Sequence, residues 1–350
     1  MNNYKASDKR ISIDTPKSII ENGVSNFGTF NTPFEDLNLL NVHHQSKCLP
    51  DFMNRFRLTE WEAFEVNLDI GCLVCAVYNN MNLMGMGIIV FYNKEEDKIY
   101  TYKKMTLPCK VSVCKTLLSS TTKINLKNFK LEINNNFENG EAKINADVYN
   151  KKNGSLKLDF KIKRVSKPSI VSIPLGKNKP LYTEKDIFSV QGNLTFNERI
   201  CEANDKSVAI IDDHKGYYPY KAHYDWLTTM IKLNIDGKEQ YFGFNLTKNQ
   251  SLNEDDYNEN LIWTENETYP LPPVKFTHDG NSWKINDEYG LVNLKFTISQ
   301  TFKMMMHLGI LDISYYLPFG KVSGTLKTIE GKEFILNEEY AIGEDKSTRL

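Results

Sequence analysis

"GSLKLDFKIK", Gly154 to Lys163, alternates with a period of two: Leu156, Leu158, Phe160 and Ile162 share one face, and Ser155, Lys157, Asp159, Lys161 and Lys163 share the other. That is the pattern of a half-buried antiparallel strand. Just upstream, "AKINADVYN" puts Ile144, Ala146 and Val148 on one face, and the joining "NKKNG" (Asn150 to Gly154) tolerates positive φ, so the two strands should form a hairpin. Asn139-Gly140 is a further turn, leading back to "LKNFKLEIN", and "MGIIVFYNKEEDKIYTYKKM" reads as two strands around the charged tip Glu95, Glu96 and Asp97. The second half repeats the style. Hairpins turn at Asp236-Gly237 and Glu330-Gly331, and "LVNLKFTIS" places Val292, Leu294, Phe296 and Ile298 on one face. No long stretch has helical period; "SVCKTLLSS" reads as a helical turn or two. Frequent turns with few helices predict an all-β protein of sandwiches or barrels.

The chain has 350 residues, beyond the size at which single cores usually stop growing, so two domains are expected. With 41% hydrophobic, 12% aromatic and 25% charged residues, its composition is that of a folded globular protein. Forty-three basic and 44 acidic residues leave a net charge of -1, so no field draws it to nucleic acid or anionic lipid. The lysines of "KIKRVSK" (Lys161 to Lys167) alternate with apolar residues and read as a solvated strand face. The start, "MNNYKASDKRISIDTPKSIIENG", has no apolar signal region, and no apolar run approaches the ~20 residues of a membrane helix. Cytoplasmic location is the expectation, with no membrane span. Six scattered cysteines (Cys48, Cys72, Cys75, Cys109, Cys114 and Cys201) suit reduced thiols. Pro168, Pro174 and Pro180 interrupt pairing between the halves and mark a connector or edge strand. The expected organisation is an N-terminal tail over 1–25, a first β-domain over 26–185 and a second over 186–350.

"AIIDDHKGYYPYKAHYDW" (Ala209 to Trp226) resembles the signature of a bacterial family of unknown function. "FGFNL" (Phe242 to Leu246), "NENLIW" (Asn258 to Trp263), "GLVNLKF" (Gly290 to Phe296), "FGKVSGTLKTIEGKEF" (Phe319 to Phe334) and "GED" (Gly343 to Asp345) follow in the order that family requires; "EWEAFEV", "SIPLG" and "LYTEKD" match more loosely. The family is similar in layout to the attH-like and hydroxyneurosporene synthase-like proteins. That resemblance implies two tandem lipocalin-like (calycin-like) antiparallel β-barrels. It also implies kinship with cofactor-free enzymes acting on lipophilic substrates, including a carotenoid hydratase. Many relatives finish in tryptophan, whereas this chain ends Thr348-Arg349-Leu350, which puts a role for that last aromatic in doubt.

The candidate site follows from these segments. Asp212, Asp213 and His214 stand together after the apolar run Val208 to Ile211, with Gly216 expected to let the chain reverse. At a barrel mouth such groups could trade protons with a substrate, and a like-charged neighbour would raise one carboxylate's pKa. The competing reading has Asp212 or Asp213 accepting backbone hydrogen bonds while Tyr217, Tyr218 and Trp226 fill a domain interface. His223 and Asp225 share strand parity, but Pro219 and Gly216 break the inference to His214. Asn245, Glu259 and Asn260 could converge on the same mouth, to orient a polar head group or to bond loops. Glu344 is either an acid or one half of a buried ion pair. "CLVC" at Cys72 to Cys75 has half a zinc spacing, but in a strand the two thiols face opposite ways and no second pair follows, so neither a metal nor a cofactor is predicted. His43-His44 reads as a surface pair. Methionines in "MNLMGMG" and "KMMMH" are core fill or suit a pocket for an irregular lipid. Phosphate loop, dinucleotide fingerprint and Gly-x-Ser-x-Gly elbow are all missing from the sequence. A hydrophobic or amphipathic small molecule, bound at or between the barrels, is the expected partner; a cofactor-independent hydratase, isomerase or cyclase, and a structural or protein-interaction scaffold, are the alternatives.

Overall fold

Period-two alternation becomes paired strands wherever the sequence carries it. The computed structural model describes residues 4–43, 50–265, 267–308 and 311–349; His44, Cys48 and Leu350 lie outside them. "GSLKLDFKIK" is part of the strand Gly154–Arg164, whose hairpin with Glu141–Asn150 closes at Asn150 opposite Gly154. The Asp236-Gly237 turn has φ of 53° and 82°, the double left-handed geometry that matches strand twist in a two-residue hairpin. "SVCKTLLSS" is not helical. It is an irregular segment anchored by Cys114 and Leu117, which are buried in the first core.

The strands form an all-β pair of lipocalin-like units, a nearly closed barrel and a half-barrel. The barrel sheet runs Lys98–Thr106, Met84–Asn93, Gly71–Asn80, Thr59–Leu68, Val208–Gly216, Lys179–Phe196, Gly154–Arg164, Glu141–Asn150, Phe129–Asn136, Ser120–Leu126 and Val111–Ser112. Its gap is bridged by side chains: Asn150 Nδ2 and Asn153 Nδ2 donate to the Thr101 carbonyl at 3.0 and 2.7 Å. The half-barrel has Lys221–Ile235 and Glu333–Arg349 at its centre and Lys275–Asp279 at one edge.

Two expectations about boundaries need correction. Lys185 lies inside the long strand Lys179–Phe196, and Val208–Gly216 is hydrogen-bonded between that strand and Thr59–Leu68, so the sheets divide between Gly216 and Lys221. A sequence rich in strands gives no sign that one strand runs on past the proline-rich connector. The proline segment itself is the strand Ser169–Gly176, irregular at Pro174, which lies beside Lys179–Phe196 and Gly28–Phe30. Nor is the described part of the N-terminal segment a loose tail. Tyr4, Arg10, Ile19 and Ile20 are buried, and the Arg10 guanidinium donates to the Asn258 and Asn260 carbonyls. One long cation supplies that anchor, a signal too small for composition to reveal.

Alternation sorts the apolar side chains into three layers. Phe64, Phe91, Phe160 and Phe188 fill the barrel. Leu227, Phe244, Phe296 and Trp283 fill the concave side of the half-barrel. Between the sheets lie Trp61, Ile88, Val90, Trp226, Trp263 and Phe319. Strands such as Gly71–Asn80 are therefore covered on both faces: Cys72 packs between the sheets and Cys75 inside the barrel, as their odd spacing requires. Cys72, Cys75, Cys109, Cys114 and Cys201 are free thiols. No helix among the described residues is long and apolar enough to cross a membrane.

Candidate functional site

Three neighbouring barrel strands write the site on their outer face. Register pairs Ala63, Asp212 and Lys185 in one row and Trp61, His214 and Thr183 in the next. Because residues two apart share a face, Asp212 and His214 point outward together toward the half-barrel. The His214 ring stacks on Trp61 with centroids 4.6 Å apart, and the Trp61 indole N–H donates to Asp212 Oδ2 at 3.0 Å. Lys185 Nζ donates to Asp212 Oδ1 and lies 3.5 Å from Glu259 Oε2, while Thr183 donates to that Glu259 oxygen at 3.1 Å.

This arrangement fixes charges. Burial alone would raise the Asp212 pKa, but the His214 imidazole and the Lys185 ammonium outweigh it and hold the carboxyl well below the usual range. Lys185 responds in kind: burial opposes its charge, and Asp212 and Glu259 hold it protonated above the ordinary lysine value. With Asp212 ionised, His214 Nδ1, 2.7 Å from Oδ1, must carry a proton, and Nε2 faces Glu259 Oε1 at 3.9 Å. The imidazole is thus oriented by a carboxylate that is itself clamped.

Asp213 goes the other way. It points into the barrel, where Lys215 donates to both of its oxygens, and its register neighbours are Glu62 and Glu184. The three adjacent residues Asp212, Asp213 and His214 therefore do not form one group. Gly216 does not reverse the chain with a positive φ; a Cβ there would come within 2.6 Å of Leu181 Cδ1, so it serves a close strand approach.

Tyr218 and Trp226 line the space between the sheets with Trp61, Tyr224, Lys185, Asp212, His214, Glu259 and Glu344. The cavity among these residues is only about 30 Å³, a slot between rings. Past Trp61, Tyr218 and Tyr224 it continues into an apolar chamber of about 40 Å³ lined by Met84, Met86, Ile88, Met304, Met306 and Ile313. Lys346 lies among Trp61, Tyr78, Tyr224 and Tyr315, 4.9 to 5.7 Å from their ring centroids. Glu344 accepts a hydrogen bond from the Tyr315 hydroxyl. Burial raises its pKa, against the pull of Lys346.

The remaining expected residues have other tasks. Tyr217 donates to the Leu39 carbonyl beneath the N-terminal segment, away from the slot. Asn245 accepts from the Trp226 indole at 2.6 Å and donates to the Glu259 carbonyl at 2.9 Å, so it positions two wall residues from behind. Asn260 accepts from the Thr247 amide and donates to the Pro272 carbonyl, bonding loops. His223 sits at the rim, half exposed, beside Asp225. Sequence reasoning did not single out Trp61, Thr183, Lys185, Tyr224, Tyr315 or Lys346. Trp61 and Lys185 fall within "EWEAFEV" and "LYTEKD", the segments matched loosely, and only strand register brings them to Asp212.

Comparison with known proteins agrees with this layout. Residues 10–350 match the model of a family described as a domain of unknown function, DUF2804, and the chain belongs to that family. No curated protein matches. Among solved structures, CghA with Sch210972 aligns with a TM-score of 0.51 at 9% identity, covering 99% of this chain and 98% of that one. An AttH protein of Nitrosomonas europaea gives 0.49 at 11% identity over 87% of this chain and 98% of its own. Kievitone hydratase from Nectria haematococca gives 0.45 at 11% identity over 92% and 97%. At such identities the CghA alignment speaks to the fold.

Proposed function

We propose that this DUF2804 member binds an amphipathic small molecule in the slot between its sheets and moves a proton on it with its own side chains. One observation carries the reading: two carboxyls at the polar end of a slot that becomes apolar, Asp212 and Glu344, are pushed in opposite directions. Environments that separate two acids in this way divide them into a permanent charge and a proton donor. In the proposed step His214 Nε2 takes a proton from the ligand and Glu344 gives one at another atom; Asp212 orients the imidazole and steadies its positive charge. Proton out and proton in leave the ligand isomerised or cyclised, and if the proton removed comes from an added water, the ligand is hydrated. The apolar chamber, about 40 Å³ as it stands, takes the chain or ring system by displacing its methionines, which adapt to an irregular shape. That CghA, which has this fold, was crystallised with Sch210972 is consistent with a small-molecule site.

The test uses a fluorescent fatty acid as probe and organic extracts of the host cell as the source of ligand. Saturable probe binding, displaced by an extracted compound and lost in Met306→Trp, which fills the chamber, is expected. When the displacing compound is incubated with protein in heavy water, it should acquire deuterium. His214→Gln should keep probe binding and slow that exchange about 10²- to 10⁴-fold. Probe binding that ignores Met306→Trp would sink the binding site, and exchange unaltered by His214→Gln would remove the proton-transfer role.

A further inference from the structure

On the opposite face of the strand that carries Trp226, and at the same end of it, a second group of side chains gathers at the mouth of the half-barrel. Asp225 and Asp345 are direct partners in the register of Lys221–Ile235 and Glu333–Arg349. Two carboxylates placed opposite one another repel, a destabilising pair unless a cation lies between them. Two imidazoles complete the ring. His223 Nε2 is 3.5 Å from Asp225 Oδ2 and its Nδ1 is 3.8 Å from Asp345 Oδ1; His278 Nε2 is 3.0 Å from Asp225 Oδ1 and its Nδ1 is 3.8 Å from Asp345 Oδ2. Asp225 is 7% exposed, and its Oδ1 has no hydrogen-bond donor despite the nearby imidazole.

We infer that His223, Asp225 and Asp345 form a site for one divalent transition-metal ion of the zinc type. One donor atom from each of these three residues can be taken so that all lie within 4.8 Å of one another, near enough to close on a common ion whose tetrahedral ligands sit about 3.4 Å apart, while His278 touches Asp225 from outside this set. Two carboxylates and one neutral imidazole carry two negative charges, which one such ion neutralises. Mixed nitrogen and oxygen donors select it over magnesium or calcium. Outer partners already hold the rings: His223 Nδ1 is 2.9 Å from the Ser347 hydroxyl, leaving Nε2 toward Asp225, and His278 stacks flat on Trp283 with centroids 4.5 Å apart. His278 comes from the edge strand Lys275–Asp279, separated in the sheet from Lys221–Ile235 by Ser282–Asn286, Val292–Leu308, Leu311–Lys327 and Glu333–Arg349. The ion would replace the repulsion between Asp225 and Asp345 by a link between the two central strands, on the face of the sheet opposite Trp226 and Glu344.

Full-length protein stripped with chelator and titrated with Co²⁺ tests this directly. A saturable visible d–d band of tetrahedral intensity at one equivalent is expected, displaced by Zn²⁺ and unaffected by excess Mg²⁺, with a rise in Tm on Zn²⁺ addition. The rim variant His223→Gln should abolish the band while the metal-free Tm stays near that of the parent, whereas His278→Gln should keep it. Ser347→Ala should weaken Co²⁺ binding about 10-fold. Absence of the band in the parent protein, its survival in His223→Gln, or displacement by Mg²⁺ would overturn the assignment.

Discussion

The strand Val208–Gly216 carries two carboxylates side by side, and its two faces treat them in opposite ways. On the outer face Asp212 meets a lysine, an imidazole and an indole N–H, and stays ionised. On the inner face Asp213 shares its row with Glu62 and Glu184, all three fully buried, and burial raises its pKa against the pull of Lys215. Composition cannot produce that contrast, since each face offers a lysine. What differs is the surroundings of each carboxylate: Asp212 has Lys185, His214 and an indole N–H on its oxygens, whereas Asp213 has Lys215 on its oxygens and acids on both sides of its row. Donors facing the slot hold Asp212 ionised, while in the barrel interior burial pushes the carboxyl pKa values up.

The largest effect expected from this contrast is a fall in stability as pH rises. Burial, the leading cause in each case, moves Glu62 to about 7, Glu184 to about 8 and Asp186 to about 7, from ordinary values near 4. A carboxyl whose folded pKa is raised binds more protons folded than unfolded, so its stabilisation is complete below the unfolded value and lost as pH climbs through the folded one. For Glu62 alone the window from 4.5 to about 7 corresponds to about 3 kcal/mol. Asp212 works in reverse, losing its contribution only as pH drops below the ordinary carboxyl range. Thermal unfolding between pH 5 and pH 8 should show Tm highest near pH 5 and falling by several degrees toward pH 8. A Tm that climbs across that interval would mean the inner acids are ionised.

Removing the cations sharpens the comparison. Lys215→Met leaves Asp213 buried beside two other acids, a loss of about 3–5 kcal/mol at pH 8. At pH 5 the loss should shrink, because Asp213 can take up a proton. Lys185→Met, the matched change outside, leaves Asp212 with His214 and Trp61 and should cost less at either pH. Urea unfolding of both variants at the two pH values measures this; equal losses for the two would erase the distinction between faces.

The sequence allowed the fold to be read because alternation is a property of neighbouring residues: Leu156 to Ile162 is enough to declare a strand, and Asp236-Gly237 enough to declare its turn. Asp212, His214, Trp226, Glu259 and Glu344 were legible as site candidates because polar groups cluster where the family resemblance is densest. Asp213 was grouped with them by adjacency, although the same period of two sends it to the barrel interior. Lys185 and Trp61 could not be chosen, since each reaches Asp212 only across strand pairs whose register depends on residues far along the chain. His278 is the extreme case. Nothing near it in sequence hints at Asp225, because the curvature of a whole sheet brings them together.

The smallest effect concerns the indole that belongs to both the slot and the charge network. Trp61→Phe keeps an aromatic ring against His214 but deletes the N–H that donates to Asp212 Oδ2. A hydrogen bond to a charged acceptor contributes about 1.5–3 kcal/mol, and Lys185 and His214 remain on Oδ1, so the loss should lie at the low end of that range. The functional consequence should exceed the structural one. With its second oxygen released, Asp212 can rotate and take the imidazole with it, so proton exchange into the ligand should slow about 10-fold while probe affinity changes little. A loss of affinity with exchange preserved would instead mean that Trp61 serves as a wall of the slot, and that Lys185 alone is enough to hold Asp212 in place.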